Sequence, residues 1–179
     1  YEFFTADPNH GEAARVSARL ASNAGMRIYL LDFIRDNDPV PPGCWWQSST
    51  DWAGYRGNTQ KNVEWVRSKA LLWNCDVVLS DGPNGLCAST PEGDAQHYPP
   101  FPCAEMVDST GAGDVFRAGM LHGLTRGWST GKCLAYASAA GCLNCAGLGA
   151  TGKLPTEKEV IALILANPVI TKQYDPEMR

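Results

Sequence analysis

The sequence predicts an α/β fold built on a mainly parallel sheet, and three observations carry that expectation. Short, near-continuous apolar runs, Met26–Phe33 and Asp76–Ser80, read as strands buried on both faces. They alternate with stretches of helical periodicity, Glu12–Asn23 and Thr59–Trp73. Beyond Val115 the chain gives way to a run of helices.

Element by element, Glu2–Ala6 is short and apolar and predicts a strand. Glu12–Asn23 carries Ala13, Val16, Ala18 and Leu20 and predicts a helix, with Gly25 at its stop. Met26–Phe33 is the first buried strand, and Asp36–Gly43 a polar, proline-rich loop. Cys44–Gln47 predicts a short strand end. Adjacent on a strand, Trp45 and Trp46 face opposite ways, so only one can line a pocket. Thr59–Trp73 places Val63, Val66, Ala70 and Trp73 at helical spacing, with Trp65 and Trp73 on one core-facing side. Asp76–Ser80 is a buried strand. Leu86–Ser89 and Gln96–Tyr98 flank the turn Pro91–Asp94 as a hairpin. Helices follow at Val115–Arg126, Thr130–Ala146 and Thr156–Ala166, the last opened by the capping box Thr156-Glu157-Lys158-Glu159.

Composition narrows the function classes. The 179 residues, with 15 Lys+Arg against 19 Asp+Glu, suit one domain or part of a larger one. A net charge of −4 argues against nucleic acid as the main partner, since phosphate neutralisation needs a basic face. No apolar run approaches the roughly 18 residues of a membrane span. The N-terminus has neither a signal peptide's pattern nor an initiating Met, so further chain is expected upstream. Seven cysteines are an odd number for a disulfide framework and predict reduced thiols in a cytoplasmic protein. Cys142-Leu143-Asn144-Cys145 lacks the second pair a zinc site needs and reads as part of a tightly packed helix.

Asp108-Ser109-Thr110-Gly111-Ala112-Gly113-Asp114-Val115-Phe116 carries the chemistry. Small residues before a helix let backbone N–H groups approach an anion, and the helix start adds donors and partial positive charge. Asp114 at that entrance has two readings. It caps the helix, worth about 1 kcal/mol, or it accepts a proton from a hydroxyl that attacks phosphorus.

Asp108–Leu124, DSTGAGDVFRAGMLHGL, closely resembles the C-terminal signature of the ribokinase-like (PfkB) sugar kinases. Val77–Gly85 resembles that family's strand and glycine turn beside ATP. Tyr98–Pro102 resembles the lead into the signature, and Ala135–Ala150 the small-residue helix and Gly-Ala turn that close the nucleotide pocket. The resemblance implies a three-layer α/β/α sandwich of which residues 1–179 are the C-terminal, nucleotide-binding portion, without the N-terminal half and its lid. It implies transfer of the γ-phosphoryl of Mg·ATP to a sugar hydroxyl. Asp114 would be the catalytic base, and the Gly111, Ala112 and Gly113 amides the anion hole. Ser80, Gly82, Asn84 and Gly85 would border ATP, and Ser138 would lie near adenine. Asp108 and Thr110, with the carbonyls of Asn144, Gly147 and Gly149, match a monovalent-cation (K⁺) site, although Lys153 stands where a small polar residue is common. The family's N-x-x-E motif, which helps order Mg²⁺ and phosphates, should fall near Gln47. The chain reads Trp46-Gln47-Ser48-Ser49-Thr50-Asp51 there, leaving Gln47 and Asp51 as substitutes. Relatives form dimers through the lid, so a homodimer is a further expectation.

Other signals are weaker. Gly147–Lys153 fits GxGxxG and most of a Walker A pattern, but a helix precedes it and Leu154-Pro155 follows. His10, His97 and His122 are scattered, and His122 reads as a packed or surface side chain. Arg117, one turn past Asp114, either contacts phosphate or lies on a solvated face. Two alternatives stay open: a nucleoside kinase of the same superfamily, and a non-catalytic nucleotide-binding or interaction protein.

Overall fold

A computed structural model of the chain describes residues 2–33, 38, 40–53, 57–103 and 105–178. Part of the loop expected over Asp36–Gly43 lies outside these residues. The chain divides into two compact units, residues 1–97 and 98–179.

In the first unit the alternation read from the sequence becomes a six-stranded sheet in sequential order. Its strands are β1 (Phe3–Ala6), β2 (Arg27–Leu31), β3 (Trp45–Ser49), β4 (Asp76–Ser80), β5 (Leu86–Ser89) and β6 (Ala95–Tyr98). β1 to β4 run parallel and β5 returns antiparallel beside β4. Helix α1 (Glu12–Asn23) links β1 to β2, and α2 (Thr59–Trp73) links β3 to β4, both with the bounds that periodicity predicts. Both helices pack against one face of the sheet. Ala14, Ala18 and Ala21 of α1 and Val66 and Ala70 of α2 join Ile28, Leu30, Trp46, Val77 and Leu79 in a single core. The small residues of α1 let its backbone come close to the strands.

Strand β3 corrects an expectation. Instead of a short end at Cys44–Gln47, it is a five-residue strand between β2 and β4. Polar Gln47 and Ser48 hid it, because a buried strand normally reads as apolar. Both are about 1% exposed, and both are paired. The Tyr29 hydroxyl donates to Gln47 Oε1 at 2.8 Å, and Ser48 donates to the Asp32 carboxylate at 2.7 Å. The two tryptophans do face opposite ways. Trp46 packs against Trp65 and Trp73 at centroid distances of 5.8 and 5.3 Å and donates its indole N–H to Phe33 O. Trp45 stacks on Tyr29 on the other face.

Asp76, the first residue of β4, has its carboxyl pKa pushed up to about 6, chiefly by burial and secondarily by the Glu92 charge, with Arg27 pulling the other way. The folded state therefore holds this proton more tightly than the unfolded chain, and stability falls as pH rises from about 4 to 6. A shift of this size corresponds to about 3 kcal/mol, which solvent screening of a part-exposed group reduces to about 1–2 kcal/mol. Asp76→Asn is expected to stabilise the protein by that amount at pH 8 and by nothing at pH 4, measured by urea unfolding. Parallel pH profiles for the two proteins would refute this.

The second unit holds α3 (Ala112–Leu124), α4 (Thr130–Asn144), α5 (Glu157–Ala166) and α6 (Pro168–Tyr174). Helix α4 is buried nearly all round, from Cys133 to Asn144, so the reading of its small residues as tight packing holds. A Cβ on Gly119 of α3 would sit 2.8 Å from Ala137 Cα of α4, which is why the pair packs through glycine and alanine. The expected capping box is present: Thr156 Oγ1 accepts from Glu159 N, and the Glu159 carboxylate accepts from Thr156 N. Helix α6 has no counterpart in the sequence reading. Pro168 starts it, and Tyr174 stacks on Tyr98 and Phe101. Among the described residues no helix is long and apolar enough to cross a membrane.

Candidate active site

Helix α3 begins three residues earlier than periodicity predicts, and this sets the site. Gly111 adopts φ +82° and serves as the N-cap, its carbonyl accepting from Val115 N at 3.0 Å. Ala112, Gly113 and Asp114 thus form the first helical turn instead of preceding it. Left-handed backbone favours glycine, and a second constraint excludes any side chain at Gly111. An added Cβ would lie 2.7 Å from Ala150 Cα and 2.9 Å from Ala150 O. The turn around Ala150 therefore packs directly on the glycine that opens the helix.

Asp108 joins these two turns. Its Oδ1 accepts from Thr110 N at 2.9 Å and Thr110 Oγ1 at 2.7 Å, and its Oδ2 accepts from Gly149 N at 2.8 Å. The Thr110 N–H, then its hydroxyl, then the Gly149 N–H hold the Asp108 pKa below the usual carboxylate range. Asn144, at the end of α4, donates from Nδ2 to Ala150 O and Lys153 O. The structure thus brings together Asp108, Thr110, Gly111, Ala112, Gly113, Asp114, Asn144, Gly147 and Gly149. The Ala112 N–H donates to Ser109 O at a long 3.2 Å, closing the turn.

Asp114 is exposed, with 62% of its side-chain surface accessible, and its Oδ1 accepts from Arg117 Nη2 at 2.8 Å. Arg117, read either as a phosphate contact or as a solvated side chain, is mostly buried beside the carboxylate one turn away, which corrects the solvated reading. Lys153 donates to Glu159, whose pKa is lowered to about 2, mainly by that ammonium. Ser138 stands apart from this group, its Oγ accepting from the Tyr174 hydroxyl of α6 at 3.0 Å. His122 is packed, stacked on Tyr136 with parallel rings 4.8 Å apart.

Ser80, Gly82, Asn84 and Gly85 lie together in the first unit, in the turn leaving β4. Gly82 and Gly85 take φ of +52° and +91°, and Asp81 N and O bond to Gly85 O and Asn84 N. The His97 ring lies 2.6 Å from Asn84 O and braces the turn from β6. Two carboxylates that the sequence reading passed over sit at the ends of these parallel strands. Asp81 accepts from Thr50 Oγ1 at 2.8 Å and from Asn62 and Asn84 Nδ2 at 3.3 Å. Asp32, at φ +59°, accepts from Ser48. Each directly follows an apolar strand, at the carboxyl edge where open α/β sheets bind ligands, and that position was the available signal. Gln47, considered as a stand-in for the N-x-x-E motif, is buried and bonded to Tyr29.

Turns at the ends of parallel strands and a glycine-capped helix start are the anion-binding devices of α/β nucleotide-dependent enzymes, and the fold is that of the ribokinases. The chain is 90% covered by the structure of Arabidopsis thaliana ribokinase complexed with ribose and ATP, at a TM-score of 0.77 and 21% identity, and covers 55% of that protein. It covers 62% of the Salmonella enterica aminoimidazole riboside kinase, with 91% of its own length matched, a TM-score of 0.71 and 23% identity. A family model, pfkB family carbohydrate kinase, matches residues 56–157, more than half of the chain. The chain belongs to that family. It is 31% identical over 103 residues to the 5-dehydro-2-deoxygluconokinase of Clostridium beijerinckii, a match covering 56% of this chain and 30% of the relative. It is 35% identical over 98 residues to the Bacillus subtilis ribokinase, covering 54% and 33%. The matches thus span about a third of the length of these curated relatives.

Proposed function

We propose that this protein transfers the γ-phosphoryl group of ATP to a hydroxyl of a sugar or nucleoside, and that residues 1–179 supply the nucleotide-binding, C-terminal portion of the kinase domain. The observation that carries the reading is the glycine-capped first turn of α3, with Asp114 exposed on it. Partial positive charge at the helix start draws the transferring phosphoryl group, and the Gly111–Gly113 turn is the anion hole for its developing charge, the Ala112 N–H exchanging its long bond to Ser109 O for the phosphoryl oxygen. Asp114 takes the proton of the attacking hydroxyl, and Arg117 orients its carboxylate. In the first unit the Ser80–Gly85 turn, stiffened by Asp81 and His97, is the nucleotide-facing element.

Magnesium fits as a passenger of the nucleotide. Among the described residues no group of three or more His, Cys, Asp or Glu side chains is arranged to hold a metal, and Mg²⁺ commonly rides on substrate phosphates with water filling its shell. Several groups read as a potassium site already accept hydrogen bonds within the chain. Both Asp108 oxygens accept chain donors, the Asn144 carbonyl accepts from Gly147 N, and the Gly149 carbonyl from Gly152 N.

The test is acceptor-dependent release of ADP from Mg·ATP by the full-length protein, over a panel of sugars and nucleosides. Release only with a sugar alcohol group supports a sugar kinase, and release only with nucleosides the nucleoside kinase reading. Protection by ATP against unfolding without ADP release for any acceptor would overturn catalysis.

A further inference from the structure

Among the described residues thiols meet in two places, Cys44 with Cys75 and Cys103 with both Cys142 and Cys145, and the two differ in access. Cys44 and Cys75 are 1% and 0% exposed, each with the other as neighbour, and are closed to reagents. Cys103 and Cys142 are half-buried, with Sγ atoms 2.8 Å apart. Cys103 Sγ is also 3.0 Å from Cys142 O, and Cys142 Sγ is 3.6 Å from Phe101 O. The two side chains therefore already face each other across the gap between the segment before the signature and the last turn of α4. That segment is strapped to α4 a few residues later, where Val107 N and Asp108 N both donate to Cys145 O. Since a disulfide needs an S–S distance of about 2.05 Å, the sulfurs have only to close by a fraction of an ångström to bond.

We propose that Cys103 and Cys142 form an oxidative modification site, a dithiol that accepts a disulfide from small-molecule disulfides of the glutathione class. The Cys103 thiolate attacks one sulfur of the small disulfide, the S–S bond breaks, and one small thiolate leaves. Cys142 then loses its proton and attacks the Cys103 sulfur of the mixed disulfide, expelling the second small thiolate. The two protein thiols are oxidised by two electrons, and the small disulfide is reduced to two thiols. Burial, reinforced by the neighbouring Cys103, holds the Cys142 pKa well above the ordinary thiol range. The bond closes a loop between residues 39 apart and staples the root of the Gly111 turn to α4. The inference is independent of the kinase reading.

The experiment incubates the full-length protein with oxidised glutathione, alkylates the remaining thiols and maps the peptides by mass spectrometry. The expected product has lost the mass of two hydrogen atoms, joins Cys103 to Cys142, leaves Cys145 alkylated and reverts with dithiothreitol. Its thermal midpoint is expected to lie about 5–10 °C above the reduced form. Cys145→Ser should still form the link, and Cys103→Ser should not. Alkylation of both Cys103 and Cys142 after oxidation, a stable glutathione adduct on Cys103, or a link through Cys145 would each overturn the proposal. The wild-type map decides the matter even if a variant fails to fold.

Discussion

Asp114→Asn is expected to lower turnover at least about a hundredfold while ATP still protects the protein against thermal unfolding, because general-base help contributes roughly 10²–10⁴-fold. Asparagine keeps the shape of the side chain and its place in the first turn of α3, and removes only the capacity to hold the hydroxyl proton. The fold has little stake in the carboxylate. Asp114 is largely exposed and its partner is Arg117 one turn on, and such pairs contribute under about 1 kcal/mol. Activity and stability should therefore separate, with acceptor-dependent ADP release falling and the unfolding midpoint holding. Turnover within about threefold of the wild type would remove Asp114 from the proton transfer, since the effect expected of a base is far larger.

Gly111→Ala combines the two costs that meet at this position. Alanine at φ +82° is disfavoured by roughly 1–2 kcal/mol, and its Cβ would press on the backbone of Ala150 at 2.7 Å. Backbone cannot rotate away as a side chain can, so the Ala150 turn must shift, drawing Gly149 N from the Asp108 carboxylate. The expected loss is about 2–4 kcal/mol of stability, with activity falling about a hundredfold or more as the donors move off the phosphoryl position. Gly127→Ala is the control. Gly127 has φ +68° with open space around it, so it bears the conformational cost alone, about 1 kcal/mol. Urea unfolding of the two variants separates the terms. Equal losses would mean that the close approach to Ala150 has no energetic consequence.

Local signals were read well where the physics is local. Helix α2 starts and ends where apolar spacing placed it, β4 matches its apolar run, and the Thr156 capping box satisfies backbone donors within four residues of sequence. The signature Asp108–Leu124 carried the family because its glycines and small residues answer to near neighbours. The misses were long-range. β3 was shortened because Gln47 and Ser48 look like loop residues until Tyr29 and Asp32, on the neighbouring chain segment, supply their partners.

The start of α3 shows where the line falls. Sequence by itself determined that a glycine-rich turn precedes a helix bearing an aspartate, because those residue types tolerate few other backbone states. Only the tertiary structure decided that Gly111 is the cap, that Asp114 is inside the first turn beside Arg117, and that Asp108 ties the turn to Gly149, 41 residues on. In the same way Asp81 gains its meaning from Thr50 and Asn62, 31 and 19 residues away, and Ser138 from Tyr174 on a helix without a strong local pattern. A residue's backbone preference is written in its own side chain and its neighbours. The partner that satisfies a buried or half-buried polar group is chosen by packing, after distant segments have been brought together.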